Sequence, residues 1–577
     1  MNNEKNTTMV RVLGATGTAA TLAITPWFAY DPINLPKMLV LSTGAAFLAS
    51  WLILNVRRVE RNLLPLICIS LLFVATLIVS FFTNSSPWYQ QLWGVWGRST
   101  GLITYLSFVA IMLVSISVAS SLSLSFIRMI FERLGYVVTS YTLLQLLELD
   151  PINWSQKIMV ATLGNINFMS SFLGLTAISY TSRFILEKQS ITSKSYYFCL
   201  TALNLYLIFT SRSIQGVGVF LAGISVLIAF FVRRKLSFMK SLLLLSFTSA
   251  LGLLLLLGTA GLGPLAIMRQ DTVIFRIDYW RAGINMTASN PINGVGLDSY
   301  GDFYRDYRTL EAVTRTGQQR VTNTAHNIFL DVFAGAGMFA GILMILIMLI
   351  TALRLVGGLK ENNSNFDLPA FGGMWLGFLI FCLISINQIG VGVWGFIFTG
   401  LLNGFLTKSK LEQKDEKGVS KKGSTKLPEI QPSKDVGVIS KSSLRDNRLI
   451  QAFFSAIVTL VVFIVTLLPN LADARYLNSV KASDWTRALD VIDDMGIQDF
   501  HRENLIERLA KEGLEDQSLK LALALTKENP QSWLGWIQII SNSKASREQQ
   551  LKAAQNILRI DPFNFEARKA IEEAITP

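Results

Sequence analysis

The chain has 577 residues, 51% of them hydrophobic and only 16% charged, with 52 Lys plus Arg against 39 Asp plus Glu for a formal charge of +13. An ordinary soluble domain carries about 25% charged residues, so this composition excludes a single soluble enzyme. Apolar runs near the ~20 residues needed to cross a bilayer recur from Val10 to Phe405, with one more between Leu449 and Leu468. The expected fold is an all-α, polytopic membrane protein.

In chain order, spans are expected near 10–30, 38–55, 63–82, 100–120, 134–148, 167–183, 196–210, 216–232, 241–260, 327–352, 370–388, 391–406 and 449–468, about 13 in all. The first follows Lys5 and Arg11, shows no small-residue cleavage site and leads into further spans, so it reads as a retained helix. Cys68, Cys199 and Cys382 fall inside separate apolar runs without CxxC spacing and read as buried thiols. Trp88, Trp93 and Trp96, ahead of the fourth span, read as an interfacial aromatic belt.

Cytoplasmic loops carry the excess of Lys and Arg. Alternate connections hold Arg57, Arg58 and Arg61, then Arg128 and Arg133, then Arg183, Lys188 and Lys194, then Arg233, Arg234, Lys235 and Lys240, then Arg354 and Lys360. The intervening short loops hold one basic residue each, as at Lys37, Arg98 and Lys157. This parity predicts a cytoplasmic N-terminus, and an odd number of spans puts the C-terminal segment outside.

Three stretches do not read as membrane. Residues 261–325 form a long external connection whose basic residues are all arginine: Arg269, Arg276, Arg281, Arg305, Arg308, Arg315 and Arg320. Residues 407–448, rich in Lys, Ser and Gly, read as a disordered basic cytoplasmic linker. Beyond the last span at 449–468, residues 469–577 switch to amphipathic helical patterning with charges of both signs. Ala522 to Pro530 is echoed by Ala554 to Pro562, each followed by an aromatic, at Trp533 and Phe563. Such an echo resembles tetratricopeptide-type hairpins with a concave binding face, and equally suits a small helical domain without a groove. Residues 1–406 would then be the membrane core.

Polar groups at a membrane surface mark chemistry, because a charge there is costly. His326, in Asn323-Thr324-Ala325-His326-Asn327, stands where the external connection turns into an apolar helix, and an imidazole there can accept a hydroxyl proton. Alone, such a histidine also suits a cap. Arg276 and Arg281 flank Ile277-Asp278-Tyr279-Trp280, and Arg212 lies in Ser211-Arg212-Ser213; parity puts all three on the side of His326. Guanidinium forks match phosphate oxygens, or else pair with Asp271, Asp278 or a lipid headgroup. Gly294 and Gly296 in Asn-Gly-Val-Gly read as a tight structural turn, and Gly164-Asn165-Ile166-Asn167 as a helix cap.

Phe275-Arg276, Tyr279-Trp280-Arg281, Asn290-Pro291-Ile292-Asn293-Gly294-Val295-Gly296 and Thr324-Ala325-His326-Asn327 with Gly335 and Gly337 together resemble the core of the O-antigen ligase and O-antigen polymerase family. The likeness extends to Pro36-Lys37, Gly97-Arg98 with Gly101, Gly164 to Phe168, and Ser211-Arg212. Pro469 and Ala472-Asp473 before helical hairpins resemble members that append repeats after a last span.

The resemblance implies a glycosyltransferase of the bacterial cytoplasmic membrane that moves a glycan from an undecaprenyl-diphosphate carrier to an acceptor hydroxyl outside, with inversion and with neither metal nor cofactor. His326 would act as base. Arg212, Arg276 and Arg281 would bind the diphosphate, and Asp278 and Asn327 would orient these groups. The acceptor stays open between another carrier-linked glycan, lipid A core and a protein hydroxyl, with a protein partner expected on the C-terminal repeats and no nucleic acid. A polysaccharide or lipid-linked glycan flippase is the rival of another class.

Overall fold

In hydrocarbon an apolar chain can satisfy its own N–H and C=O groups only as a helix or a closed barrel. The computed structural model describes residues 2–55, 60–152, 154, 159–259, 263–264, 271–361, 365–421 and 441–575, and among these there are helices and no strand. Arg57, Arg58, Lys157, Arg269 and residues 422–440 of the expected linker lie outside the described residues.

The first half runs through α1 (Asn2–Leu22), α2 (Asn34–Asn55), α3 (Leu64–Thr83), the short α4 (Trp88–Trp93), α5 (Leu102–Val118) and α6 (Ser121–Leu146). Then come α7 (Ile166–Leu186), α8 (Ile191–Thr210), α9 (Ile214–Arg233) and α10 (Phe238–Thr259). The arginine-rich connection contains α11 (Asp271–Ser289), α12 (Tyr300–Tyr307) and α13 (Leu310–Thr316), and the bundle closes with α14 (Ile328–Glu361), α15 (Asp367–Ile384), α16 (Ile389–Lys421) and α17 (Lys441–Lys481). Beyond it follow α18 (Trp485–Val491), α19 (Asp499–Lys511), α20 (Glu515–Glu528), α21 (Trp533–Ser541), α22 (Arg547–Ile560) and α23 (Phe565–Ile575).

A helix overlaps each predicted span, although the first ends at Leu22 rather than near residue 30. Among the described residues seven stretches are long and apolar enough to cross a membrane by length and composition: Asn34–Asn55, Arg61–Thr83, Ile214–Arg233, Ile328–Glu361, Asp367–Ile384, Ile389–Ser409 and Leu449–Lys481. The protein is a multi-pass, all-helical membrane protein. The Leu64–Thr83 helix shows how the sequence achieves this. It has no charged residue, carries Pro65 in the first turn where a missing N–H is harmless, and spans 20 residues or about 30 Å.

Ile389–Ser409 lies wholly inside the bundle. Gly400 and Gly404 bring it against α5 so closely that a Cβ at either would sit 2.3 Å from the carbonyl oxygen of Met112 or Ile116, the small-residue packing that joins helices where lipid supplies no hydrophobic drive. At the opposite end from His326, buried Arg128 pairs with Glu132, Glu187 and Asp367 at 2.8–3.0 Å.

Several expectations change. The 261–325 connection is largely helical rather than a loop: Thr309 caps α13 by accepting from Ala312 N at 3.2 Å. Of the 407–448 stretch, the parts up to Lys421 and from Lys441 extend α16 and α17. The helix of the last span runs through Pro469 to Lys481, since a single proline removes one hydrogen bond and kinks a helix without having to end it. Only Cys382 is buried in protein, Cys68 and Cys199 being on the outer surface. Trp93 is buried, its Nε1 donating to Val465 O at 3.2 Å, and of the three tryptophans only Trp88 is exposed.

The feature that positions the site is a break in α14. Gly337 takes φ 87° and ψ 175° inside it, freeing carbonyls that the Asn293–Gly296 turn captures: Val295 N donates to Ala334 O at 2.8 Å and Gly296 N to Gly335 O at 2.9 Å, while Met338 N donates to Pro291 O at 2.7 Å. Ser80 and Asn84 of the α3 end brace the turn by donating to Asn293 O at 2.8 and 2.9 Å. A Cβ on Gly337 would lie 2.2 Å from Ile292 O. Gly337→Ala is therefore expected to destabilise the protein by about 1–3 kcal/mol, read as a lower thermal midpoint in detergent, whereas Gly357→Ala, at a position with open space, should leave it unchanged.

Candidate functional site

Tyr279, Ala282 and Met286 of α11 pack with Tyr300 and Tyr304 of α12, with Val295 of the turn and with Ala325 and Ala334 around the start of α14. This small core sets the residues between Asn323 and Asp331 as a tight hook. Asn327 caps α14, its Oδ1 accepting from Phe329 N at 3.1 Å and Leu330 N at 3.2 Å. Asp331 Oδ1 accepts from Ala325 N at 2.7 Å. Between them His326 is forced to φ 56°, a conformation rare outside glycine and worth notice in a non-glycine residue.

The half-buried His326 ring lies 5.4 Å from the ring of Tyr279. Its Nδ1 is 3.3 Å from Thr324 Oγ1 and 3.4 Å from Thr324 O. Burial first, then the positive fields of Arg98 and Arg276, push the imidazole down to about 4. Thr324 and Asp331 also line a polar cleft with Arg98, Thr100, Asn323 and Asp298.

The sequence-predicted residues divide by partner. Arg276, on α11, is mostly buried and has no ion-pair partner among the described residues; burial lowers its pKa. Arg281, on another face of α11, pairs with Glu311 at 2.6 Å and is about half exposed. Asp278 is buried and accepts from Arg315 at 3.1 and 3.2 Å, so its hydrogen bonds go to α13 rather than to the imidazole. Arg212 is exposed at the α8–α9 turn with φ 56°, beside Ser213, whose Oγ donates to Asn167 Oδ1 at 2.8 Å. Asn165 caps α7 as expected, accepting from Asn167 N at 2.8 Å. Gly294 (φ 68°) and Gly296 (φ 114°) form the turn that fills the α14 break.

Arg98 entered the sequence reading only within the Gly97-Arg98 likeness, without a role, and Asp298 was not singled out. Asp298 Oδ2 accepts from Val95 N at 2.8 Å, Thr100 N at 3.3 Å and Thr100 Oγ1 at 3.0 Å, holding the 94–101 loop against the site. Arg98 Nη1 is fully buried without a hydrogen-bond partner. The signal available was three glycines around one arginine in Gly94-Val95-Trp96-Gly97-Arg98-Ser99-Thr100-Gly101, a density that marks a constrained backbone more than a simple loop. Among the described residues no group of three His, Cys, Asp or Glu side chains is placed to hold a metal ion.

A multi-pass membrane protein with a polar cleft, lined by Arg98, Asp298 and Asp331 and adjoining the His326 hook through Thr324, is the class these features define. Residues 199–345 match the family model described as O-antigen ligase, which supports that family for the stretch from α8 to the middle of α14, where Arg212, Arg276, Arg281 and His326 all lie. No curated protein matches the chain.

With its pKa held near 4, the imidazole of His326 should stay neutral from about pH 8 to about pH 5. In protein carrying 13C-labelled histidine, the resonance that disappears in His326→Gln is expected not to move over that interval; a midpoint near 6.5 would contradict the placement.

Proposed function

We propose that this protein transfers a glycan from an undecaprenyl-diphosphate carrier to an acceptor hydroxyl on the external face of the bacterial cytoplasmic membrane, as a polymerase or ligase of cell-surface polysaccharide. The observation that carries this reading is the placement of a neutral imidazole within the fields of Arg98 and Arg276, which among the described residues lack carboxylate partners within ion-pairing distance; of these groups His326 and Arg276 lie inside the stretch matched to O-antigen ligase.

The acceptor oxygen attacks the anomeric carbon, its proton passes to His326, and the bond from that carbon to the diphosphate breaks with the electron pair leaving on phosphate oxygen. Attack opposite the leaving group inverts the anomeric centre. A proton on Nδ1 shared with Thr324 O, 3.4 Å away, leaves Nε2 as the basic nitrogen. Arg276 meets the charge that develops on the leaving diphosphate; Arg212, and Arg281 once released from Glu311, hold its approach. An imidazole at about 4 is a weak base while the cleft is empty. A bound diphosphate offsets the cations that depress it, so donor binding itself raises the basicity of His326.

Polymer assembly or ligation to lipid A core is favoured over transfer to protein hydroxyls, and the helices after α17 offer a docking surface for an acceptor or partner. The N-terminus is assigned to the cytoplasm.

Reconstituted protein given an undecaprenyl-diphosphate oligosaccharide should transfer it to a lipid-linked or a lipid A-type acceptor, and the acceptor used decides between polymerase and ligase. His326→Ala should lower kcat by about 10²–10⁴-fold with the protein still folded. Glycan moved across the bilayer by parent and variant alike, without transfer, would sink the reading in favour of transport. Because kcat/KM reports the free enzyme and kcat the complex, the acid limb of kcat is expected at higher pH than that of kcat/KM.

A further inference from the structure

The 94–101 loop is bound from three sides. Asp298, just after the α14-filling turn, accepts from Val95 N and from Thr100 N and Oγ1. Asp31 Oδ2 accepts from Gly97 N at 3.2 Å, and Asn34 Nδ2 donates to Gly97 O at 2.7 Å. The third side is the C-terminal domain: the Trp96 indole stacks on Phe500 with ring centres 3.6 Å apart and planes 6° apart, and its Nε1 donates to Asp473 Oδ1 at 3.2 Å. Asp473 is fully buried; Oδ1 also lies 2.9 Å from His501 Nε2, and Oδ2 accepts from Tyr30 N and from Asp31 N at 3.0 Å. Gly94, Gly97 and Ser99 all take positive φ, at 92°, 79° and 55°, so the loop holds a shape the chain would not adopt unaided.

What this clamp presents is Arg98. Its Nη1 is buried without a partner. The carboxylates nearest in electrostatic terms, Asp298 and Asp331, form no ion pair with it, and an oxygen of each is engaged by backbone N–H groups, Val95 and Thr100 in one case and Ala325 in the other. Arg98 lines the cleft beside Thr100, Asn323 and Thr324, and its field reaches His326 together with that of Arg276. A buried guanidinium N–H lacking an acceptor is a group that a ligand oxygen completes, and paired guanidiniums select anionic, phosphate-type oxygens.

We infer that Arg98 is a phosphate-binding residue of this cleft and that the C-terminal domain, through Trp96, Phe500 and Asp473, is the element that holds it there. In the proposed reaction, on which the identity of the natural ligand rests, the phosphate belongs to the carrier diphosphate. Trp96, Phe500 and Asp473 are positioning residues and touch no substrate.

The test uses full-length protein with 13C-labelled histidine and inorganic pyrophosphate as probe. Pyrophosphate is expected to raise the His326 midpoint in the parent, and in Arg98→Lys at higher concentration. In Arg98→Ala without ligand the midpoint should already lie above the parent's, one positive field having been removed, and pyrophosphate should add little. Phe500→Ala should weaken the pyrophosphate response at least several-fold, with the stacked Phe500→Trp restoring it. With glycan donor, Arg98→Ala should raise the donor KM at least tenfold and leave the acceptor KM alone.

An equal pyrophosphate response in parent and Arg98→Ala, or none in the parent, overturns the phosphate role; a parent-like response in Phe500→Ala overturns the clamp. Normal donor KM in Arg98→Ala with transfer intact would leave the proposed reaction standing and this inference fallen. An Arg98-dependent pyrophosphate response without any glycan transfer would leave the anion site standing and the proposed reaction fallen. If Arg98→Ala does not fold, Arg98→Gln carries the same readings.

Discussion

One interruption in one helix organises the functional end of this molecule. A carbonyl left unpaired in a low-dielectric interior costs several kcal/mol, about 4–8 on water-to-hydrocarbon scales, so the break in α14 at Gly337 could not persist unless something supplied donors. The Asn293–Gly296 turn supplies them through Val295 N and Gly296 N, and Pro291 O just before it accepts from Met338 N in return. Break and turn are thus mutually required. Together they fix the first two turns of α14, and with them Asn327, Asp331 and the left-handed His326.

Around that anchor the cations sort by what surrounds them. Arg281, Arg305, Arg308 and Arg315 all have carboxylates: Glu311, Asp561 and Asp278. Arg305 and Arg308 reach fully buried Asp561 and so join α12 to the C-terminal helices. Among the described residues Arg98 and Arg276 have no such ion-pair partner, and the fields of both reach His326. Two guanidiniums that act on one imidazole without a direct ion pair of their own suit an anion better than general solubility.

The helical, membrane-embedded character was legible because hydrophobic run length speaks directly to bilayer thickness, and Gly294 with Gly296 announced a turn because few other residues reach those torsions. His326 was legible as one of two histidines at a polar-to-apolar junction. The arginines were legible as a set but not individually. Sequence does not say that Glu311 stands opposite Arg281, or that Arg315 reaches Asp278, since those pairings come from α13 folding back on α11. Arg98 was visible in the Gly97-Arg98 likeness, but its place beside His326 was hidden for a related reason. Its loop is shaped by residues hundreds of positions away, and no local pattern encodes Trp96 lying flat on Phe500. Pro469 misled in the other direction, because a single proline removes one backbone hydrogen bond and kinks a helix without having to end it.

Asp473 joins Tyr30, Asp31 and Trp96 to His501 in one buried knot, and its timing matters. At synthesis rates of about 5–20 residues per second the 94–101 loop is made on the order of tens of seconds before Asp473 and Phe500 leave the ribosome. Throughout that interval the loop has its glycines but not its clamp. A truncated or stalled chain therefore displays an arginine loop of undefined shape, and the cleft acquires its final geometry only when the C-terminal helices have been made and docked.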